Sequence, residues 1–212
     1  MTPAALAELI QARAAAQNLT RAAKTDGRFI AALAGPPAAG KSTLAAELVA
    51  ALGAGAKVVP MDGFHYDDAV LHARGARARK GAPDTFDASG FFHLLRRLKT
   101  EAEVAIPVFD RALEISRAGA DIIGPQDKIL IVEGNYLLLN EAPWPDALPL
   151  YDLTIWIEVA EADLVARLMD RWAGYGKTEA EAKAWVDGND LPNIRRVVAG
   201  SGGADVILSR QS

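Results

Sequence analysis

Gly35-Pro36-Pro37-Ala38-Ala39-Gly40-Lys41-Ser42 is the stretch from which the rest of the chain is read. It fits G-x-x-x-x-G-K-[ST], a loop whose backbone N–H groups cradle a nucleotide's phosphates. The flanks agree with that reading. Phe29-Ile30-Ala31-Ala32-Leu33-Ala34 is an apolar run of strand length, and Thr43 to Leu52 sets Leu44, Leu48 and Leu52 on one helix face. Glycine lets the backbone bend and approach an anion where a side chain would clash. The helix N-terminus that follows adds partial positive charge. In such a loop Lys41 reaches the β/γ-phosphates and the Ser42 hydroxyl sits on Mg²⁺, with Gly35 to Gly40 and Thr43 completing the phosphate-binding segment.

Working outward, the chain alternates strand and helix patterns. This argues an α/β fold around a mostly parallel sheet. Strands are expected at 57–61, 104–109, 112–115, 128–132, 153–159 and 204–208. Helices are expected from Asp87 through Leu98, at 161–173, at 178–188 and at 191–199. Residues 67–86 are rich in Gly, Arg and Asp and read as a long functional loop. An amphipathic helix at 4–24 carries Leu6, Leu9, Ile10 and Ala14. It forms an N-terminal extension (residues 1–26) of one domain spanning 1–212. That helix has two readings, a homodimer contact or a cover for the sheet.

Composition narrows the classes. The chain has 212 residues, half of them hydrophobic, a net charge of −4 and no cysteine. That length supports one substantial core. The absence of cysteine removes disulfides and thiolate metal sites and fits a reducing cytoplasm, the expected location. No apolar run approaches the roughly 20 residues of a membrane span. An acidic chain does not favour nucleic acid as a partner. With three histidines and no cysteine, a zinc site is not expected.

In open α/β sheets ligands bind outside the carboxyl ends of the strands. Asp62 follows Val58-Val59-Pro60-Met61, and Glu133 follows Ile129-Leu130-Ile131-Val132. A phosphoryl-transfer enzyme needs one acid to take the acceptor's proton and acid or water ligands around Mg²⁺. These two carboxylates are the candidates. His65, three residues past Asp62, is a candidate acceptor contact, with Phe64, Tyr66 and Phe86 as candidate pocket aromatics. The cluster Arg74, Arg77, Arg79 and Lys80 reads either as a grip on an anionic substrate or as a solvated loop. Gly200 to Gly203 reads either as a close approach to a nucleotide's base or as a plain turn.

Several segments resemble one superfamily in order along the chain. Met61-Asp62-Gly63-Phe64-His65-Tyr66 resembles the D-G-F segment of the uridine kinase, phosphoribulokinase and bacterial pantothenate kinase superfamily. Arg79-Lys80-Gly81-Ala82-Pro83-Asp84-Thr85-Phe86-Asp87 is similar to the R-K-G-x-P segment of its pantothenate kinase branch. Pro107-Val108-Phe109-Asp110-Arg111 resembles the hairpin that lines the acceptor site, and Val132-Glu133-Gly134-Asn135-Tyr136 its variant acidic strand end.

The resemblance implies a P-loop NTPase fold, three-layered α/β/α, with a helical lid. It implies ATP and Mg²⁺ as cofactors and a small-molecule alcohol as acceptor: a nucleoside, a pantothenate-like compound or a sugar. Some members are named for fructose uptake systems, though no residue here reads fructose. Carried over residue by residue, Asp62 becomes the general base and Glu133 joins Ser42 in holding Mg²⁺. Lys80, Asp110 and Arg111 line the acceptor side, and Arg167 and Arg171 become lid arginines beside Lys41 in catalysis. The i, i+4 spacing of those arginines puts both on one helix face. A second class stays open, a P-loop ATPase or ATP-regulated binding protein without a phosphoryl acceptor.

Overall fold

The structure, a computed structural model, describes residues 1–20 and 27–209. In chain order its regular elements are α1 (Pro3–Thr20), β1 (Phe29–Ala34), α2 (Lys41–Leu52), β2 (Ala56–Pro60), α3 (Asp68–Ala73), α4 (Ala88–Thr100), β3 (Val104–Asp110), β4 (Ile115–Ile123), β5 (Ile129–Gly134), β6 (Leu153–Glu158), α5 (Glu161–Gly174), α6 (Glu179–Trp185), α7 (Leu191–Gly200) and β7 (Val206–Ser209).

β1 is buried along its whole length, and it lies in the middle of a sheet ordered β2-β5-β1-β6-β7. Every pairing in that sheet is parallel. A strand covered on both faces has to be apolar throughout, which is why β1 and β5 read as continuous hydrophobic runs. Alternate side chains of β1 go to opposite faces. Ile30, Ala32 and Ala34 join a cluster with α4, β3 and Trp144. Phe29, Ala31 and Leu33 join a second cluster with α1, α2 and α5. The result is three layers, helix, sheet and helix. Leu6, Ile10 and Ala14 of α1 are buried in the second cluster beside Leu44 and Leu48, so the N-terminal helix covers the sheet.

Parallel register brings the chemistry to one end. Leu33 pairs with Glu133 on one side of β1 and with Ile155 on the other, while Pro60 pairs with Glu133. The 35–42 loop, the turn after β2 and the end of β5 therefore emerge together. β3 and β4 form a separate antiparallel hairpin with a register shift at Pro107. That hairpin packs against a 3₁₀ turn at Met61–Phe64. A Cβ placed on Gly63 would stand 2.5 Å from the Pro107 carbonyl oxygen, so the contact requires glycine.

Several expectations change. The 67–86 segment is not an unstructured loop. The Asp67 side chain caps α3 by accepting from Ala69 N–H at 2.8 Å, and 3₁₀ turns follow at Arg77–Arg79 and Pro83–Thr85. A helix of six residues is too short to leave a periodic trace. The second hairpin strand is Ile115–Ile123, not 112–115, because 112–114 are spent on the turn. Its largely exposed faces carry no hydrophobic alternation. The helix expected at 178–188 ends at Trp185 and runs through a π-turn, Val186–Asp190, into α7. Glu133 lies inside β5 rather than after it. Residues 21–24 of the expected N-terminal helix fall outside the described residues.

Candidate active site

A cavity of about 590 Å³ opens above the sheet end. Its floor is the 35–43 loop. Gly40 takes φ 84° at the N-cap of α2, a left-handed conformation open to glycine. Ala38 takes φ 63° without being glycine, a local strain of the kind stored at functional sites. Pro37, Ala38, Gly40, Lys41, Ser42 and Thr43 line the cavity, and Pro36 lines a neighbouring one of about 410 Å³. Gly35 and Ala39 line neither. Ala39 is fully buried, and a Cβ on Gly35 would press on Ile157.

Lys41 folds back over this loop. Its Nζ donates to the Pro36 carbonyl at 2.9 Å and to Asn135 Oδ1 at 2.6 Å. Burial pulls the Lys41 amine down to about 8, against the opposing pull of Glu133 and Asp62. Ser42 Oγ donates to Glu133 Oε1 at 3.2 Å. Burial pushes the Glu133 carboxyl up, and the nearby Asp62 charge adds to it. A hydroxyl beside a buried carboxylate, with room for waters and phosphate oxygens, is a hard oxygen donor set that suits Mg²⁺.

Asp62 lies on the 3₁₀ turn and lines the same cavity, ion-paired with Arg111 from the hairpin turn. His65 also lines the cavity. Its Nδ1 lies 2.8 Å from the Asp62 carbonyl oxygen, which can only accept, so Nδ1 carries the proton. The imidazole is clamped between Phe86 at 4.0 Å and Phe109 at 4.7 Å, and burial lowers its pKa. Lys80 Nζ reaches the cavity while donating to Asp68 Oδ1 and to the Glu114 carbonyl, each at 2.8 Å.

Three expected acceptor contacts lie elsewhere. Phe86 is buried behind His65 against Tyr136 and Trp144, supporting the wall without touching the cavity. Tyr66 turns away, with Arg74 stacked 4.3 Å over its ring. Asp110 Oδ1 accepts from Ala112 and Leu113 N–H groups, both at 3.1 Å, and so builds the hairpin turn. Of the basic cluster, Arg77 and Lys80 line the cavity, whereas Arg79 pairs with Asp84 on the surface. Gly200 ends α7 and its carbonyl accepts from Asn140 N–H at 2.7 Å, Ser201 bridges Leu139, and none of 200–203 lines either cavity.

The lid lies over the loop. Arg167 Nη1 donates to the Ala38 carbonyl at 3.3 Å, and Arg171, one turn on, lines the cavity. Residues without an assigned role in the sequence complete the wall: Asn135, Trp172, Lys177, Trp185, Asn189 and Asn193. Asn135 had a signal, two positions past Glu133 at a strand end. The lid residues had none: Asn189 lies in the π-turn, which breaks the helical period, and Trp172, Lys177, Trp185 and Asn193 belong to no motif. Asn189 Nδ2 ties the lid to the Lys80 carbonyl at 3.3 Å.

No family model matches the chain. A Schizosaccharomyces pombe protein named "putative uridine kinase C227.14" is 38% identical over 200 residues, covering 88% of this chain and 85% of the relative. The chain belongs to the uridine kinase, phosphoribulokinase and pantothenate kinase superfamily of P-loop kinases. The crystal structure of a "putative fructose transport system kinase" from Silicibacter sp. TM1040 is 44% identical to this P-loop kinase, with a TM-score of 0.90 and 98% of each chain covered. A Rhodococcus opacus pantothenate kinase is 31% identical over 156 residues, 71% of this chain and 50% of its own. Among the described residues no helix is long and apolar enough to cross a membrane.

Proposed function

We propose that this P-loop kinase moves the γ-phosphoryl group of ATP to a hydroxyl of a small molecule. The observation that carries the reading is the convergence of Lys41, Glu133 and Asp62 on one cavity, with Asp62 near enough to act on the charge of the other two. Lys41 and the loop N–H groups hold the β- and γ-phosphates. Ser42 and Glu133 would hold Mg²⁺, which when bound would neutralise charge on the phosphate oxygens. Arg171 faces the transferring group, and Arg167 braces the lid on the Ala38 carbonyl. The base end of ATP takes the second cavity, between Trp156 to Ala160 and Ser209 and beside Pro36.

Asp62 accepts the proton of the acceptor hydroxyl as its oxygen attacks the γ-phosphorus. His65, neutral and fixed by its aromatic clamp, offers a hydrogen bond at the same end. Positioning and charge stabilisation supply most of the rate in such transfers, and the protein makes no covalent intermediate. The names of the relatives suggest a nucleoside, a pantothenate-like compound or a sugar as acceptor.

The test is ADP release across nucleosides, pantothenate, and free and phosphorylated sugars, with Lys41→Ala as control for contaminating kinases. One class of alcohol should stimulate release. Asp62→Asn should abolish phosphorylation of that acceptor and leave ATP affinity nearly intact. An absence of stimulation by every acceptor would favour the ATPase reading.

A further inference from the structure

Arg111 reaches Asp62 from the turn joining β3 and β4, and that turn is held in shape independently of the ion pair. Asp110 caps it through the N–H groups of Ala112 and Leu113. Glu114 takes φ 56°, a left-handed conformation that a non-glycine residue keeps only where its surroundings enforce it. Lys80, largely buried, donates to the Glu114 carbonyl at 2.8 Å. The Arg111 guanidinium lies 5.2 Å over the Phe109 ring. The turn therefore presents Arg111 to Asp62. The Arg111 side chain stays 55% exposed and that of Asp62 20%, so the pair can open without burying a lone charge.

Arg111 Nη2 occupies Asp62 Oδ2, so an acceptor hydroxyl that needs this oxygen has to displace the guanidinium. We propose that Arg111 is a positioning residue that masks Asp62 until an alcohol acceptor displaces it, restraining the transfer of phosphate to water. This rests on the kinase reading above, with Asp62 as the base. In the restrained reaction a water oxygen attacks the γ-phosphorus and its proton passes to Asp62. The bond from the γ-phosphorus to the β,γ-bridging oxygen breaks, leaving ADP and inorganic phosphate, and Asp62 returns the proton to solvent. A bound acceptor presents its hydroxyl to Asp62 Oδ2 in place of the guanidinium, which turns away from the carboxylate while keeping its place over the Phe109 ring.

The test needs no knowledge of the acceptor. ADP release from Mg²⁺-ATP in the absence of any alcohol is measured for the wild type, Arg111→Gln and the double variant Arg111→Gln/Asp62→Asn. Arg111→Gln should raise hydrolysis about two- to fivefold, the population shift that opening a half-exposed ion pair allows. The double variant should fall to the wild-type rate or below. A structural lesion lowers hydrolysis, so a rise that depends on Asp62 is a signature of masking. An unchanged or lower rate in Arg111→Gln, or a double variant that stays raised, overturns the proposal. Lys41→Ala separates the two levels. If it leaves ADP release intact, the ATP-site reading itself fails. If it abolishes release while Arg111→Gln changes nothing, only the role of Arg111 fails.

Discussion

Glu133 concentrates the electrostatics of the site in one residue. Its carboxyl is buried, hydrogen-bonded by Ser42 and influenced by Lys41 and Asp62. Burial raises its pKa from 4.5 to about 7, so the folded protein without Mg²⁺ or nucleotide keeps this proton to higher pH than the unfolded chain does. The stability it contributes is fully present below the unfolded value and is lost as pH rises through the folded one. Lys41 acts in a higher window, between about 8 and 10.5, and does not cancel this. Glu133 should therefore contribute a loss on the order of 2 kcal/mol between pH 5 and pH 8 in urea unfolding of the ligand-free protein, opposed in the lower part of that window by His65, whose lowered pKa gains stability as pH rises. Glu133→Gln should remove most of that slope, and an unchanged slope would sink the assignment. At this scale Lys41, Ser42 and Glu133 were legible, since a motif and a strand end announce them. Asp110 was legible as a residue of interest, but its capping of the hairpin turn was not, because the same carboxylate can cap a turn or face a ligand.

The hairpin β3–β4 and the 3₁₀ turn at Met61–Phe64 work as a pair of elements. The turn carries Asp62 and His65 follows it, while the hairpin supplies Phe109 and Arg111. Gly63 permits their approach, since a Cβ there would meet the Pro107 carbonyl oxygen at 2.5 Å. Gly63→Ala should cost about 1–3 kcal/mol, the range for forcing an extra carbon into a packed contact. It should also lower acceptor-dependent turnover more than ATP affinity, because it moves the hairpin away from Asp62 and leaves the 35–43 loop untouched. Calorimetric ATP titration alongside the transfer assay checks this, and equal losses in both would argue against it. The sequence showed a strand pattern at 104–109 but hid β4, whose exposed faces leave no alternation to read. It likewise hid α3 and the π-turn, both shorter than the window over which periodicity speaks.

Across the whole molecule, Arg28 ties the layers together. It is 4% exposed. Its guanidinium donates to the carbonyls of Asp127, Leu98, Glu101, Ala102 and Gly124, joining the start of β1 to the end of α4 and the approach to β5. Arg28→Met keeps much of the volume and orphans those carbonyls. The expected loss is about 3 kcal/mol or more, read as a lower urea midpoint at unchanged slope. A shift under about 0.5 kcal/mol, the range of ordinary surface changes, would show that water replaces the guanidinium freely. No pattern in the chain marks Arg28, because its partners lie some 70 to 100 residues away.

The sequence by itself determined the parallel α/β sheet and the 35–42 loop at its end. Buried strands must be continuously apolar, and a phosphate loop is made by the backbone of eight consecutive residues, so both are written locally. The tertiary structure decided the arrangement around Asp62. Whether Phe86 touches a ligand or backs His65, whether Asp110 binds or caps, and that Arg111 rests on Asp62 all depend on packing between segments far apart in the chain. The direction of a side chain there is set by neighbours that no local pattern records.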